Sequence, residues 1–141
     1  MKFWGIGLTR SAPSRRLCSV LLVMLCGCSD PGSPSFAIDV QPILDDRCLC
    51  HMEGSSGTMV APTLTLNADV AFSQLVGTSS TQAPAVLRVK AGDPEASYLW
   101  RKLTGTHVAA GGSGNAMPPT GTLPIEERDA VETWILEGAL P

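Results

Sequence analysis

The first strongly patterned stretch of the chain is a run of mostly apolar side chains, Leu17-Cys18-Ser19-Val20-Leu21-Leu22-Val23-Met24-Leu25. Nine residues are too few to cross a bilayer as a helix, but they fit the apolar region of a secretion signal. Beyond it the pattern predicts four short helices. The first covers about 36–47, with Phe36, Val40, Ile43 and Leu44 on one side and Pro42 limiting its regularity. The second covers about 68–76, capped by Asn67 and closed by Gly77. The third starts at Asp93-Pro94-Glu95, where Asp93 suits the N-cap and Pro94 the first helical position. Its apolar face holds Tyr98, Leu99 and Leu103, and Gly105 stops it. The fourth covers about 125–137. Ile125, Val131, Trp134 and Ile135 recur at helical spacing, acids crowd its first turn, and Gly138 ends it. Residues 63–66 and 86–89 read as short extended pieces, and 109–121 as a Gly/Pro loop. No internal repeat is visible.

Charge and cysteine content change the picture at the N-terminus. Lys2, Arg10, Arg15 and Arg16 precede the apolar run, and no acid occurs before Asp30. The run ends in Leu25-Cys26-Gly27-Cys28-Ser29, which resembles a bacterial lipobox. That resemblance implies cleavage after Gly27 and a lipid on Cys28. Residues 1–27 are then a signal peptide, 28–35 a flexible Ser/Pro/Gly tether and 36–141 the domain. The same resemblance implies a lipid-anchored protein of the cell envelope, with Ser29 favouring the outer membrane over inner-membrane retention. Removing 27 of the 141 residues leaves 114. It takes away four of the ten basic residues and none of the thirteen acids, for a formal charge of −7. No basic cluster remains, which argues against a nucleic-acid partner, and an acidic surface leaves the lipid as the only membrane attachment. Cys18, Cys26 and Cys28 are accounted for by the leader and the lipid. Cys48 and Cys50 remain, which is no disulfide framework.

A domain of this size with four short helices and long loops has a thin core, a hint that something else fills its centre. The residues suited to hold it are Cys48, Cys50 and His51, with Met117-Pro118-Pro119 far along the chain. A thiol beside an imidazole, with a distant thioether, is a donor set for a soft or borderline metal. Met52 and Met59 rival Met117, although Met52 adjoins His51 and is poorly placed for an opposite face. His107, in a loop before the glycines, is expected at the surface. Tyr98, Trp100 and Trp134 read as packing residues. Arg88 and Lys90 read either as surface charges or as partners of an acidic ligand, and Asp93 and Glu95 as helix-start residues. Gly111-Gly112-Ser113-Gly114 does not join a strand to a helix, so it is no phosphate loop; it gives the Met117 loop freedom. No arrangement for nucleophilic or acid–base catalysis is visible, and the chain is not expected to be an enzyme.

A longer series of residues runs in a familiar order. Val40-Gln41-Pro42-Ile43-Leu44, Cys50-His51, Leu64-Thr65-Leu66, Arg88-Val89, Gly92 through Leu99, Lys102-Leu103, Met117-Pro118-Pro119 and Trp134 through Ala139 together resemble the small cytochrome c-like domains of planctomycete and myxobacterial secreted proteins. The resemblance spans nearly all of 36–140. It implies a mostly α, cytochrome c-like fold around a single haem c, and single-electron exchange with unidentified redox partner proteins. By the same resemblance Cys50 forms a thioether to haem, His51 is the proximal ligand and Met117 the distal one. The chain departs from the family at one point: it has Cys-x-Cys-His where the family has Cys-x-x-Cys-His, and Arg47 stands where the first Cys would be. On a helix, three residues turn by roughly 300° and two by roughly 200°, so Cys48 and Cys50 would face opposite ways unless the backbone there is not helical. Three outcomes stay open: one thioether from Cys50, a distorted backbone that admits Cys48 as well, or a fold that has lost haem. Two other classes of function compete, a haem-free metal site completed by Met117 or His107, and a structural or partner-binding lipoprotein with a degenerate site.

Overall fold

The computed structural model describes Met1 and residues 32–55 and 64–141. The expected leader, the lipid site Cys28 and the rival ligand Met59 lie outside the described residues. Among those described, the chain is mostly helical and forms no strand. Four α-helices are present: α1 (Gln41–Arg47), α2 (Ala71–Leu75), α3 (Tyr98–Thr104) and α4 (Ile125–Leu136). A wide π-turn, Phe36–Val40, leads into α1, and 3-10 turns cover Leu49–His51 and His107–Ala110. This is the small, mostly α fold that the hydrophobic pattern predicts.

The core joins the two ends of the domain. Phe36 stacks edge-on against Phe72 and tilted against Trp134, each with ring centres 5.3 Å apart. Trp134 is fully buried beside Val131 and Ile135 of α4, and its indole N–H donates to the Leu140 carbonyl at 2.7 Å. The Phe36 amide donates to the same carbonyl at 3.3 Å. One C-terminal oxygen therefore satisfies donors from both ends of the core, where an unpaired N–H would carry a desolvation cost. Gly138, at φ +104°, turns the chain back so that Leu140 reaches this position.

Three helix starts differ from expectation, two of them because a side chain found another partner. The first predicted helix opens as a π-turn, with Pro42 in the first turn of α1, where its missing N–H costs nothing. Asn67 does not cap α2. Its side-chain oxygen accepts from the Glu53 amide at 2.8 Å, its own carbonyl starts a turn, and the helix begins only at Ala71. Asp93 caps an isolated turn, accepting from the Ala96 amide at 3.0 Å, and α3 begins a turn later at Tyr98. Gly105, at φ +75°, ends α3 as expected. The 86–89 piece makes isolated bridges only: Val89 to Val76, and Leu87 to both Ser79 and Ser97. These bridges lay Arg88 between the exit of α2 and the start of α3. Its amide donates to Thr78 and its carbonyl accepts from Leu99.

Candidate functional site

The helix stops before the two cysteines. Cys48 lies at φ −117°, ψ +27°, outside the α region, and the next three residues wind as a 3-10 turn. The 200° argument for opposite faces therefore does not apply to this backbone. Two anchors hold the turn. The His51 carbonyl accepts from the Leu66 amide at 2.9 Å, and the Leu66 carbonyl accepts from the buried Gln41 side chain at 3.0 Å. The Ser55 hydroxyl donates to the Cys50 carbonyl. Arg47, at the place of the missing family cysteine, donates from Nε and Nη2 to the two Glu127 oxygens at 2.8 and 2.6 Å. That fork ties the end of α1 to the first turn of α4. Each partner strengthens the other's charge: Arg47 is held above the ordinary guanidinium range and Glu127 below the ordinary carboxylate range, chiefly through this hydrogen bond.

A cavity of about 490 Å³ opens beside this turn. That volume lies in the range of small-molecule and cofactor sites. Cys48, Cys50 and His51 line one part of its wall; Met117, Pro118 and Pro119 line another. Leu64, Leu66, Leu75, Leu99 and Leu103 supply apolar wall, and Tyr98, Arg88 and Lys102 supply a polar rim. The cavity thus brings together His51 and Met117, which are remote in sequence, with both cysteines. Met52 packs against the core instead and does not line the cavity.

The two cysteines are free and differ in setting. Cys50 is exposed. Cys48 is half-buried, and desolvation, with a smaller contribution from Cys50, pushes its thiol up to about 11. The His51 imidazole is held below its ordinary value, first by burial and then by the positive charge of Lys102. It is thus neutral near pH 7, the form that ligates a metal. Its Nδ1 is buried without a hydrogen-bond partner.

One sequence expectation is corrected here, and one open alternative is divided between its two residues. His107 is buried, 2% exposed, and its Nε2 lies 2.9 Å from the Gly114 carbonyl. It does not line the cavity. The glycine-rich loop brings the Gly114 carbonyl against the ring, which is closed off from water. Lys90 pairs with Asp93 at 3.0 Å on the surface, away from the cavity, whereas Arg88 does line it. Burial lowers the Arg88 guanidinium from its usual range, and its Nη1 donates to the Gln74 carbonyl at 2.9 Å.

Sequence reasoning did not single out Lys102 or Gln82 as lining residues. Lys102 sits one helical turn after Tyr98, on the face that otherwise reads as apolar, and that spacing was the available signal. It is buried, with Nζ 5.9 Å from the Tyr98 ring centre, and burial lowers its charge affinity below the usual lysine range. The Tyr98 hydroxyl donates to Gln82 Oε1. Tyr98 therefore belongs to the cavity wall, while Trp100 and Trp134 belong to the core.

The donor set suits a ligand with a metal centre, a broad apolar body and an acidic edge: imidazole and thioether for the metal, leucines for the body, Arg88 for the acid. Among the described residues no group of three or more His, Cys, Asp or Glu could hold a bare ion, and no helix is long and apolar enough to cross a membrane. Comparison with protein families, with curated proteins and with solved structures finds no match for this chain.

Proposed function

We propose that this chain is a monohaem, cytochrome c-like carrier of single electrons, held to the cell envelope by a lipid on Cys28. One observation supports the reading above the others: Cys50, His51 and the sequence-remote Met117 line a single cavity of about 490 Å³. In this reading Cys50 would anchor the haem through a thioether, and His51 and Met117 would hold its iron. The haem supplies an iron centre that gains and loses one electron.

The protein's own groups set the conditions for that exchange. The neutral His51 ring offers Nε2 as a donor, because Nδ1 is buried on its other side. Met117 contributes a neutral, soft sulfur, which favours the reduced metal. Arg88 would offset carboxylate charge at the cavity wall. The leucine wall excludes water and keeps reorganisation small when charge changes. No residue of the cavity has to bind or release a substrate.

The test is the intact mass and visible spectrum of the mature protein, expressed alongside haem-attachment machinery. Haem mass that survives denaturation, with a reduced-minus-oxidised spectrum, is the expected result. A colourless protein overturns the reading. The competing reading, a haem-free metal lipoprotein, would instead show stoichiometric copper or zinc on elemental analysis.

A further inference from the structure

One residue holds the Met117 segment through three separate hydrogen bonds. The Lys102 ammonium donates to the Ser113 carbonyl at 2.7 Å and to the Asn115 carbonyl at 3.0 Å. The Lys102 carbonyl accepts from the Met117 amide at 2.9 Å. Lys102 is buried on α3, so its stem has little freedom. Elsewhere the loop is held by the Gly112 amide on the His107 carbonyl at 3.0 Å and by His107 Nε2 at the Gly114 carbonyl at 2.9 Å, both before Asn115. Residues 112–121 contain no helix or strand, and the Gly-rich stretch has almost no side chains to pack.

From this geometry we propose that Lys102 is the positioning residue of the Met117 sulfur. Resting on the haem reading, the inference concerns how the distal ligand is presented. A thioether is a weak, neutral donor on a flexible stem, and the backbone that carries it must be held in place for it to compete with water. A hydrophobic residue at 102 could fill the same space but could not satisfy two loop carbonyls. The lysine is the donor that turns a structureless loop into a fixed support. The backbone bond from the Met117 amide sets the register, and the ammonium fixes the loop just before it.

The experiment compares haem-loaded wild type with Lys102→Met, which keeps the stem length and removes the charge and donors, and with Lys102→Arg, which keeps both. Readouts are the sulfur-to-iron charge-transfer absorption of the oxidised protein and the affinity for added imidazole, with circular dichroism reporting the fold. The expected result is that Lys102→Met stays folded and haem-loaded, loses most of that absorption and binds imidazole about ten-fold more tightly, as expected for the loss of two hydrogen bonds holding the loop. Lys102→Arg restores both readings toward wild type. Unchanged absorption and imidazole affinity in Lys102→Met would overturn the proposal while leaving the haem reading intact. A wild type without haem is a failure of the haem reading itself. Hydrogen exchange at the Met117 amide of that colourless protein then reads the clamp directly, faster exchange in Lys102→Met supporting it and equal exchange overturning it. Should Lys102→Met not fold, Lys102→Gln, with a shorter neutral donor, gives the same readings.

Discussion

The two sides of this domain are built on opposite principles. Where Phe36, Phe72, Trp134, Val131 and Ile135 meet, large rings and branched side chains interlock, and the few polar atoms, such as the Trp134 N–H, are paired. Beside it, the cavity is walled by a 3-10 turn, an extended segment with isolated bridges, a Gly/Pro loop and residues of α2 and α3. The first side holds the fold together; the second holds its shape through single hydrogen bonds and is left open to a ligand. Stability and site chemistry are separated except at Leu66, Leu75 and Leu103, which serve both, so a substitution elsewhere on one side should leave the other nearly untouched.

The largest expected effect is on the packed side. Trp134→Ala removes a fully buried ring and a paired donor, and should cost about 3–5 kcal/mol, measured as a shift of the denaturant midpoint. A loss below about 1 kcal/mol would mean that the core does not carry the fold. Next comes the loop. A Cβ at Gly112 would lie 2.8 Å from the His107 carbonyl and closer still to the Tyr98 hydroxyl, so Gly112→Ala must displace the cavity-side loop. It should cost about 1–3 kcal/mol and expose the buried His107 ring, visible as a changed His107 resonance by NMR.

His51→Ala sharpens the contrast. In haem-free protein the half-buried ring has no hydrogen-bond partner at Nδ1, and its loss should cost under about 1 kcal/mol. In haem-loaded protein the same change should remove the low-spin spectrum and lower the melting temperature. Equal melting with and without His51 in the loaded protein would break the proposed division of labour. The smallest effect is kinetic. With its thiol pushed up to about 11, Cys48 is roughly one part in a thousand thiolate at pH 8, so an alkylating reagent should mark the exposed Cys50 of haem-free protein first. Folding should lose stability as pH climbs from the ordinary thiol value of 9.0 toward about 11, because unfolded Cys48 ionises there while the folded thiol keeps its proton. Peptide mass mapping and pH-dependent melting check the two statements.

Helix number, approximate place and most stop signals were legible along the chain. Gly105 and Gly138 end α3 and α4 because only a residue without Cβ adopts positive φ there freely. Trp134 and Ile135 announce a buried face by their spacing. Helix starts were less legible, since Asn67 and Asp93 are equally able to cap a helix, bind a neighbouring loop or close a single turn, and tertiary contacts choose among these. The candidate site was legible in its chemistry but not in its support. Cys50, His51 and Met117 are unusual side chains and stand out; Lys102 and His107 look ordinary in sequence and take their roles from what folds over them.

By itself, then, the sequence determined where the apolar faces fall and which donor side chains exist, because both are properties of short segments. Tertiary structure alone decided that the backbone leaves the helix at Cys48, that the glycine loop brings a carbonyl against His107, and that Lys102 grips the segment before Met117. Those outcomes depend on carbonyls and cavities supplied by residues distant along the chain, and no local pattern records which of them will arrive.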